Sequence, residues 1–200
     1  MDERLQKAEN IIFDIGNVLL RFYPERVFEQ MPESMRNDLY RAMFEPVNGR
    51  TKWSEFDLGQ RPNEEIARDV AIASGHAEAT EAILQALAYF PDTMQVLPLA
   101  GEMEGLKKMG KRLYALTNYP EPSLTITMKK FPFFSLLDGY VVSSREKMMK
   151  PDEAIFRLIL EKYALNPEKT LFIDDSAQNV QAARNVGLNT WHYTGWKDYK

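Results

Sequence analysis

Short apolar runs that alternate with helix-length amphipathic stretches constrain this chain more than any other feature. Four runs rich in branched or aromatic residues have the make-up of buried strands: Ile11–Phe13, Leu113–Leu116, Tyr140–Val142 and Leu171–Ile173. Asn189–His192 is a weaker fifth. Helical patterns lie between them. Gly101–Met109, stopped by Gly110, leads into the second run, and Glu153–Tyr163, opened by Pro151-Asp152, precedes the fourth. Ala177–Val186 precedes the fifth, with Gly187 where a C-terminal glycine cap belongs. Strands alternating with helices require parallel crossovers, so the expected fold class is α/β, a doubly wound parallel sheet. A chain of 200 residues is long enough to bury such a core without a covalent staple.

From about Arg21 to Phe90 that rhythm breaks. No convincing strand appears there, but Met35–Phe44, Glu64–Ser74 and Ala77–Phe90 are amphipathic, the last with Ile83, Leu84, Leu87 and Ala88 on one face. The expected division is a core of residues 1–20 and 94–200 and an all-helical cap of residues 21–93. An insertion directly after the first strand sits above the carboxyl end of the sheet, where open α/β sheets bind ligands.

Composition removes several function classes. Zero cysteines exclude a thiol nucleophile, a disulfide scaffold and a thiolate metal site. With only His76 and His192, an all-histidine metal site is not expected. The net charge of −4 argues against a nucleic-acid partner. MDERLQKAEN at the amino terminus is too charged for a signal peptide, and FPFFSLLDGYVV is broken by Pro132 and Asp138, so no membrane partner is expected. The expectation is a cytoplasmic globular protein; nothing in the sequence specifies its oligomeric state.

Four polar signals stand at the carboxyl ends of the expected strands or in nearby loops: Asp14 in FDIGNVLL, Thr117-Asn118 in YALTNYP, Lys150 in MMKPDEAIF, and Asp174-Asp175 in LFIDDSAQNV. Singly each is ordinary. An Asp after a strand is usually a turn residue, a lone Lys a solvated charge, and Asp175-Ser176 a helix cap. Together they converge on one edge of one parallel sheet. Three carboxylates in one crevice repel each other unless a cation neutralises them. Hard oxygen ligands without His or Cys suit Mg²⁺, which takes one or two carboxylates plus a phosphate. A Lys, a hydroxyl and loop amides supply donors for phosphoryl oxygens, and a carboxylate serves as nucleophile through an aspartyl-phosphate. The constellation is suited to phosphoryl transfer.

These motifs, in this order and spacing, resemble those of the haloacid dehalogenase superfamily with a helical cap inserted after the first motif. FDIGNVLL is similar to the bacterial α-D-glucose-1-phosphate phosphatases and to the phosphatase domain of soluble epoxide hydrolases, and WSEFDLGQRPNEEIA resembles the family's cap pattern. The resemblance spans essentially the whole chain. It implies a Rossmann-like core and a Mg²⁺-dependent phosphatase acting on a small phosphorylated metabolite, a sugar phosphate foremost. Carried over by position, Asp14 would be the nucleophile and a metal ligand, and Gly16 would offer its carbonyl to the metal. Thr117 would bind a phosphoryl oxygen with Asn118 assisting, and Lys150 would balance the charge of nucleophile and phosphoryl group. Asp175 would ligate Mg²⁺ and Asp174 would hold a metal-bound water.

One departure matters. Most phosphatases of this superfamily carry a general acid–base Asp two residues after the nucleophile; here that position is Gly16. General acid catalysis is typically worth ~10²–10⁴ in rate, so leaving groups that need little protonation, such as anomeric and acyl phosphates, are the better substrates. Gly16 also keeps two alternatives open: a halide-displacing dehalogenase, which needs no acid and no metal, and a non-catalytic binder of phosphorylated ligands. The paired Asp174-Asp175 favours the phosphatase. Trp53, Phe56, Trp191 and Trp196 read as packing residues and His76 as a surface residue, while Arg50 and Lys52 lie in a Gly-containing loop that could face substrate.

Overall fold

A computed structural model describes residues 2–198 and divides the chain into two compact units. The first comprises Met1–Phe22, Gln95–Asn118 and Phe131–Lys200, and the second Tyr23–Met94 and Tyr119–Lys130.

The strands are β1 (Asn10–Phe13), β2 (Leu20–Arg21), β3 (Gln95–Val96), β4 (Arg112–Thr117), β5 (Gly139–Val142), β6 (Thr170–Asp174) and β7 (Asn189–His192). Five of them form one sheet in the order β5-β4-β1-β6-β7, and every pairing within it is parallel. β2 and β3 form a separate antiparallel ribbon that the sequence pattern did not signal. The doubly wound parallel sheet is as expected, and so are its five strands.

Alternation along each strand explains why these runs are almost wholly apolar. Ile11, Phe13, Leu113, Leu171 and Ile173 face one layer, packed on Leu99, Met103 and Leu106 of the helix Pro98–Lys108. Ile12, Tyr114, Leu116, Val141 and Phe172 face the other, packed on Ile155, Phe156 and Ile159 of the helix Glu153–Lys162 and on Ala182 and Ala183 of the helix Ala177–Asn185. A sheet covered on both faces leaves no polar side to either. The first of these helices begins three residues before its expected start because Pro98 occupies its first turn, where a missing N–H costs nothing. At the sheet edge, the Tyr163 hydroxyl accepts from Tyr140 N at 2.9 Å and bonds Tyr140 O at 3.1 Å, blunting the free side of β5.

The second unit is helical: Glu33–Phe44, Lys52–Leu58, Asn63–Ala73, Thr80–Tyr89 and Ser123–Lys130. Lys52–Leu58 starts with Thr51 and Ser54 bonding each other's backbone N–H and stops at Gly59 with φ 63°. Trp53 packs against Phe44, Phe56 and Phe90 at centroid distances of 5.0, 5.7 and 5.1 Å, so both are packing residues, Phe56 buried and Trp53 partly so. The expected division placed residues 94–200 wholly with the sheet, whereas Tyr119–Lys130 groups with the helices. Ser123 Oγ donates to Leu87 O at 2.8 Å, and Asn63 Nδ2 to Glu121 O at 2.6 Å. Lys52 is ion-paired with Glu55 and Asp69, and Arg61 closes the same network. Among the described residues no helix is long and apolar enough to cross a membrane.

Candidate active site

Every residue singled out at the sheet edge lies in the first unit. β1 is central, and the chain moves to β4 and β5 on one side of it before returning to β6 and β7 on the other. The switch point brings the carboxyl ends of β4, β1 and β6 side by side, which is where the topology opens a crevice. Register does the rest: Phe13 pairs with Ala115 and Ile173, and Asp14 N still donates to Ile173 O at 2.9 Å. Asp14 therefore leaves the sheet level with Leu116 on one side, one residue short of Thr117, and with Asp174 on the other.

Asp14, Asp174 and Asp175 each present a carboxylate oxygen within 4.8 Å of the others. Lys150 Nζ stands between two of them, 2.9 Å from Asp14 Oδ1 and 2.6 Å from Asp174 Oδ2, with the lysine side chain 1% exposed. Asn118 positions it. Asn118 Oδ1 accepts from Lys150 N at 2.9 Å while its Nδ2 donates to Lys150 O at 3.0 Å, so this amide grips the lysine backbone from both sides. Expected to assist at a phosphoryl oxygen, the Asn118 side chain is engaged here in holding Lys150. Thr117 is the buried last residue of β4.

Asp174 and Asp175 differ in kind. Asp174 is fully buried and accepts from Lys150 Nζ, from Ser176 N at 2.8 Å, and from Asn179 Nδ2 at 3.0 and 3.1 Å. Its oxygens are saturated by protein donors. Asp175 is half-buried and accepts from Asn17 Nδ2 at 3.1 Å, while its backbone oxygen is 2.9 Å from His192 Nε2. Ser176 is the N-cap of the following helix but makes no capping bond with its side chain, so the simple capping reading of Asp175-Ser176 does not account for this turn.

The electrostatics are those of a site lacking positive charge. Burial pushes the Asp14 carboxyl up to about 7; Lys150 pulls it down, and Asp174 and Asp175 push it further up. Asp175 is likewise raised, by burial first and then by Asp174, against the Asn17 hydrogen bond. Burial alone would lower Lys150, yet the two carboxylates beside it hold its ammonium above the ordinary lysine range. Three carboxylates thus face one ammonium, and a divalent cation on Asp14 and Asp175 would relieve the excess. Only oxygen ligands are offered, which fits Mg²⁺.

Gly16 has a φ outside the left-handed region, and a Cβ there would meet nothing within 4 Å. The left-handed residue of this turn is its neighbour Asn17, at φ 56°. Asn17, Arg21 and Asn179 are site residues the sequence reading passed over. Asn17 sits in the same loop as Asp14, Arg21 ends β2, and Asn179 is one helical turn beyond Ser176, but only the tertiary hydrogen bonds reveal them. Trp191 packs on the core beside Tyr193, at a centroid distance of 5.4 Å, with the Arg4 guanidinium over its ring, whereas the Trp196 side chain lies outside the described ones. His76 is 3.4 Å from Asp38 Oδ2 in the helical unit.

Comparison with known proteins places the chain in a family. The family model for haloacid dehalogenase-like hydrolases matches residues 8–187. The sesquiterpene phosphatase of Aspergillus oryzae is 26% identical over 187 residues, covering 92% of this chain and 88% of the relative. A phosphoglycolate phosphatase of Pseudomonas putida is 26% identical over 132 residues, covering 62% and 48%. Among solved structures, a HAD family enzyme of Bacteroides thetaiotaomicron in complex with magnesium and inorganic phosphate superposes with a TM-score of 0.73 at 20% identity, over 96% of this chain and 98% of that one. The last likeness speaks to the fold.

Proposed function

The chain belongs to the haloacid dehalogenase-like hydrolases, and from that premise we propose a Mg²⁺-dependent phosphatase that moves the phosphoryl group of a small metabolite first to Asp14 and then to water. The observation that carries this reading is the strand-end cluster of Asp14, Asp174 and Asp175 around a buried Lys150.

An Asp14 oxygen attacks phosphorus, the bond to the leaving oxygen breaks, and that oxygen takes its proton from solvent. Water then attacks the aspartyl-phosphate at phosphorus, loses a proton, and returns Asp14 as carboxylate with release of inorganic phosphate. Lys150 holds Asp14 in place and offsets the negative charge gathered there. The Thr117 hydroxyl donates to a phosphoryl oxygen. Bound at Asp14, Asp175 and the Gly16 carbonyl, Mg²⁺ would supply charge neutralisation for the transferring group. Asp174 is saturated by protein donors, so its part is to orient Lys150 rather than to hold a metal-bound water.

An aryl phosphate assayed with and without Mg²⁺ tests the reading. Metal-dependent release of phosphate is expected. Metal-independent turnover of a 2-haloacid instead would identify a dehalogenase, and binding of phosphate without turnover a non-catalytic protein. The two adjacent carboxylates should separate in the same assay. Asp175→Ala is expected to raise the Mg²⁺ requirement steeply, and Asp174→Ala by roughly 10–100-fold. Equal effects, or a larger one at Asp174, would reverse the assignment.

The substrate reading follows from Gly16, where backbone alone stands in place of an acid. Anomeric sugar phosphates and acyl phosphates are favoured, in keeping with the similarity of FDIGNVLL to glucose-1-phosphate phosphatases; the sesquiterpene phosphatase relative adds terpenyl phosphates to the panel. Rates across a series of monoesters should fall steeply as the leaving group becomes more basic. Gly16→Asp needs no strained backbone and finds open space, so it should accelerate alkyl phosphates by up to ~10²-fold. A flat dependence on leaving-group basicity in the natural protein would show that another residue donates the proton.

A further inference from the structure

Asn17 is more than a turn residue. Its left-handed φ of 56° is one that Asn tolerates and Gly takes freely. What a turn does not require is the use made of its side chain. Asn17 Oδ1 accepts from Arg21 Nη1 at 2.6 Å and from Phe22 N at 3.2 Å, and Asn17 Nδ2 donates to Asp175 Oδ2 at 3.1 Å. A guanidinium and a backbone N–H can only donate. The amide oxygen must therefore face them, and the amide NH₂ must face the carboxylate. Arg21 Nη1 also donates to Phe22 O at 2.9 Å, so the direction of the amide is set from the β2 segment.

We propose that Asn17 is a positioning residue for the divalent cation, and that Arg21 acts through it. The amide occupies one oxygen of Asp175 and leaves the other as the ligand, while tying the loop after β1 to the loop after β6. Metal ligands are commonly oriented in this way by neighbouring hydrogen bonds, and loss of such a partner typically weakens metal binding by ~10–100-fold. The inference rests on the Mg²⁺ reading of the site.

Calorimetric titration with MgCl₂ alone tests it, with melting of the metal-free protein as a parallel readout. Asn17→Gly keeps the turn, so the metal-free Tm should stay near that of the natural protein while Mg²⁺ affinity falls by roughly 10–100-fold. Arg21→Met removes the donor to Asn17 Oδ1 while leaving Asn17 itself in place, and should weaken Mg²⁺ by a smaller factor. Combining the two should lose no more than Asn17→Gly alone, because residues acting through one contact are not additive. Unchanged affinity in Asn17→Gly would reduce Asn17 to a turn residue and overturn the proposal, as would fully additive losses in the double variant. If Asn17→Gly melts much lower, Arg21→Met alone decides: affinity unchanged there overturns the relay. No Mg²⁺ binding by the natural protein would instead overturn the metal reading on which the inference stands.

Discussion

Asp14→Asn should abolish hydrolysis of an aryl phosphate, by on the order of 10⁴–10⁶-fold, the scale on which hydrolases lose activity when a nucleophile is removed. An amide is a poor nucleophile and a poor ligand for Mg²⁺. The same variant should nevertheless be more stable than the natural protein when metal is absent at pH 8. Burial has pushed the Asp14 carboxyl up to about 7, from near 4 in an unfolded chain. The folded state therefore binds this proton more tightly than the unfolded state does. The resulting stabilisation is fully present below about pH 4 and is lost as pH rises through about 7. At pH 8 the ionised Asp14 is a burden on the fold that Asn does not carry; at pH 5 the difference should shrink. Each kcal/mol relieved is worth roughly 2–4 °C of Tm in a chain of this size. Activity assays in saturating Mg²⁺ and melts in chelator at the two pH values check both halves. A near-normal rate would reject the nucleophile, and an unchanged or lower Tm at pH 8 would reject the electrostatic account of the site.

Lys150→Met is expected to cause the largest loss of stability. Lys150 is the one cation between Asp14 and Asp174 in the cluster, and its side chain is 1% exposed. Removing one partner of a buried ion pair typically costs about 3–5 kcal/mol, which corresponds to a Tm drop of roughly 6–20 °C here. Met fills much of the volume, so the loss reports charge: three carboxylates would then face one another with nothing between them. Mg²⁺ should restore part of that Tm, and by more than it raises the Tm of the natural protein, because the cation replaces some of the missing positive charge. Melts with chelator and with MgCl₂ measure both numbers. A drop of only a degree or two would mean that the carboxylates are already neutralised in another way.

The sheet and the candidate site at its edge were legible in the sequence for one physical reason. In a parallel sheet covered on both faces, strands are nearly continuous apolar runs, and the first polar residue after each run marks its carboxyl end. Asp14, Thr117 and Asp174 were found in that way, and Lys150 by its place in the loop after β5. What escaped was whatever depends on partners distant in the chain. The two-residue strands β2 and β3 are too short to show a period, and residues 119–130 group with the helices through contacts such as Ser123 to Leu87. Asn118 reads as a phosphate ligand in sequence, yet its amide grips Lys150. Asn17 and Asn179 look like ordinary turn and helix residues until their bonds to Asp175 and Asp174 are seen. The left-handed residue of the turn after β1 is Asn17, not the neighbouring Gly16.

The covalent step through Asp14 is the centre of this account. Acid quenching during turnover of an aryl phosphate in Mg²⁺, followed by digestion and mass spectrometry, tests it most directly. A phosphorylated peptide containing Asp14, stable in acid, cleaved by hydroxylamine and absent from Asp14→Asn, is the predicted result. Full turnover with no phosphate on Asp14, or with phosphate on another residue, would contradict it.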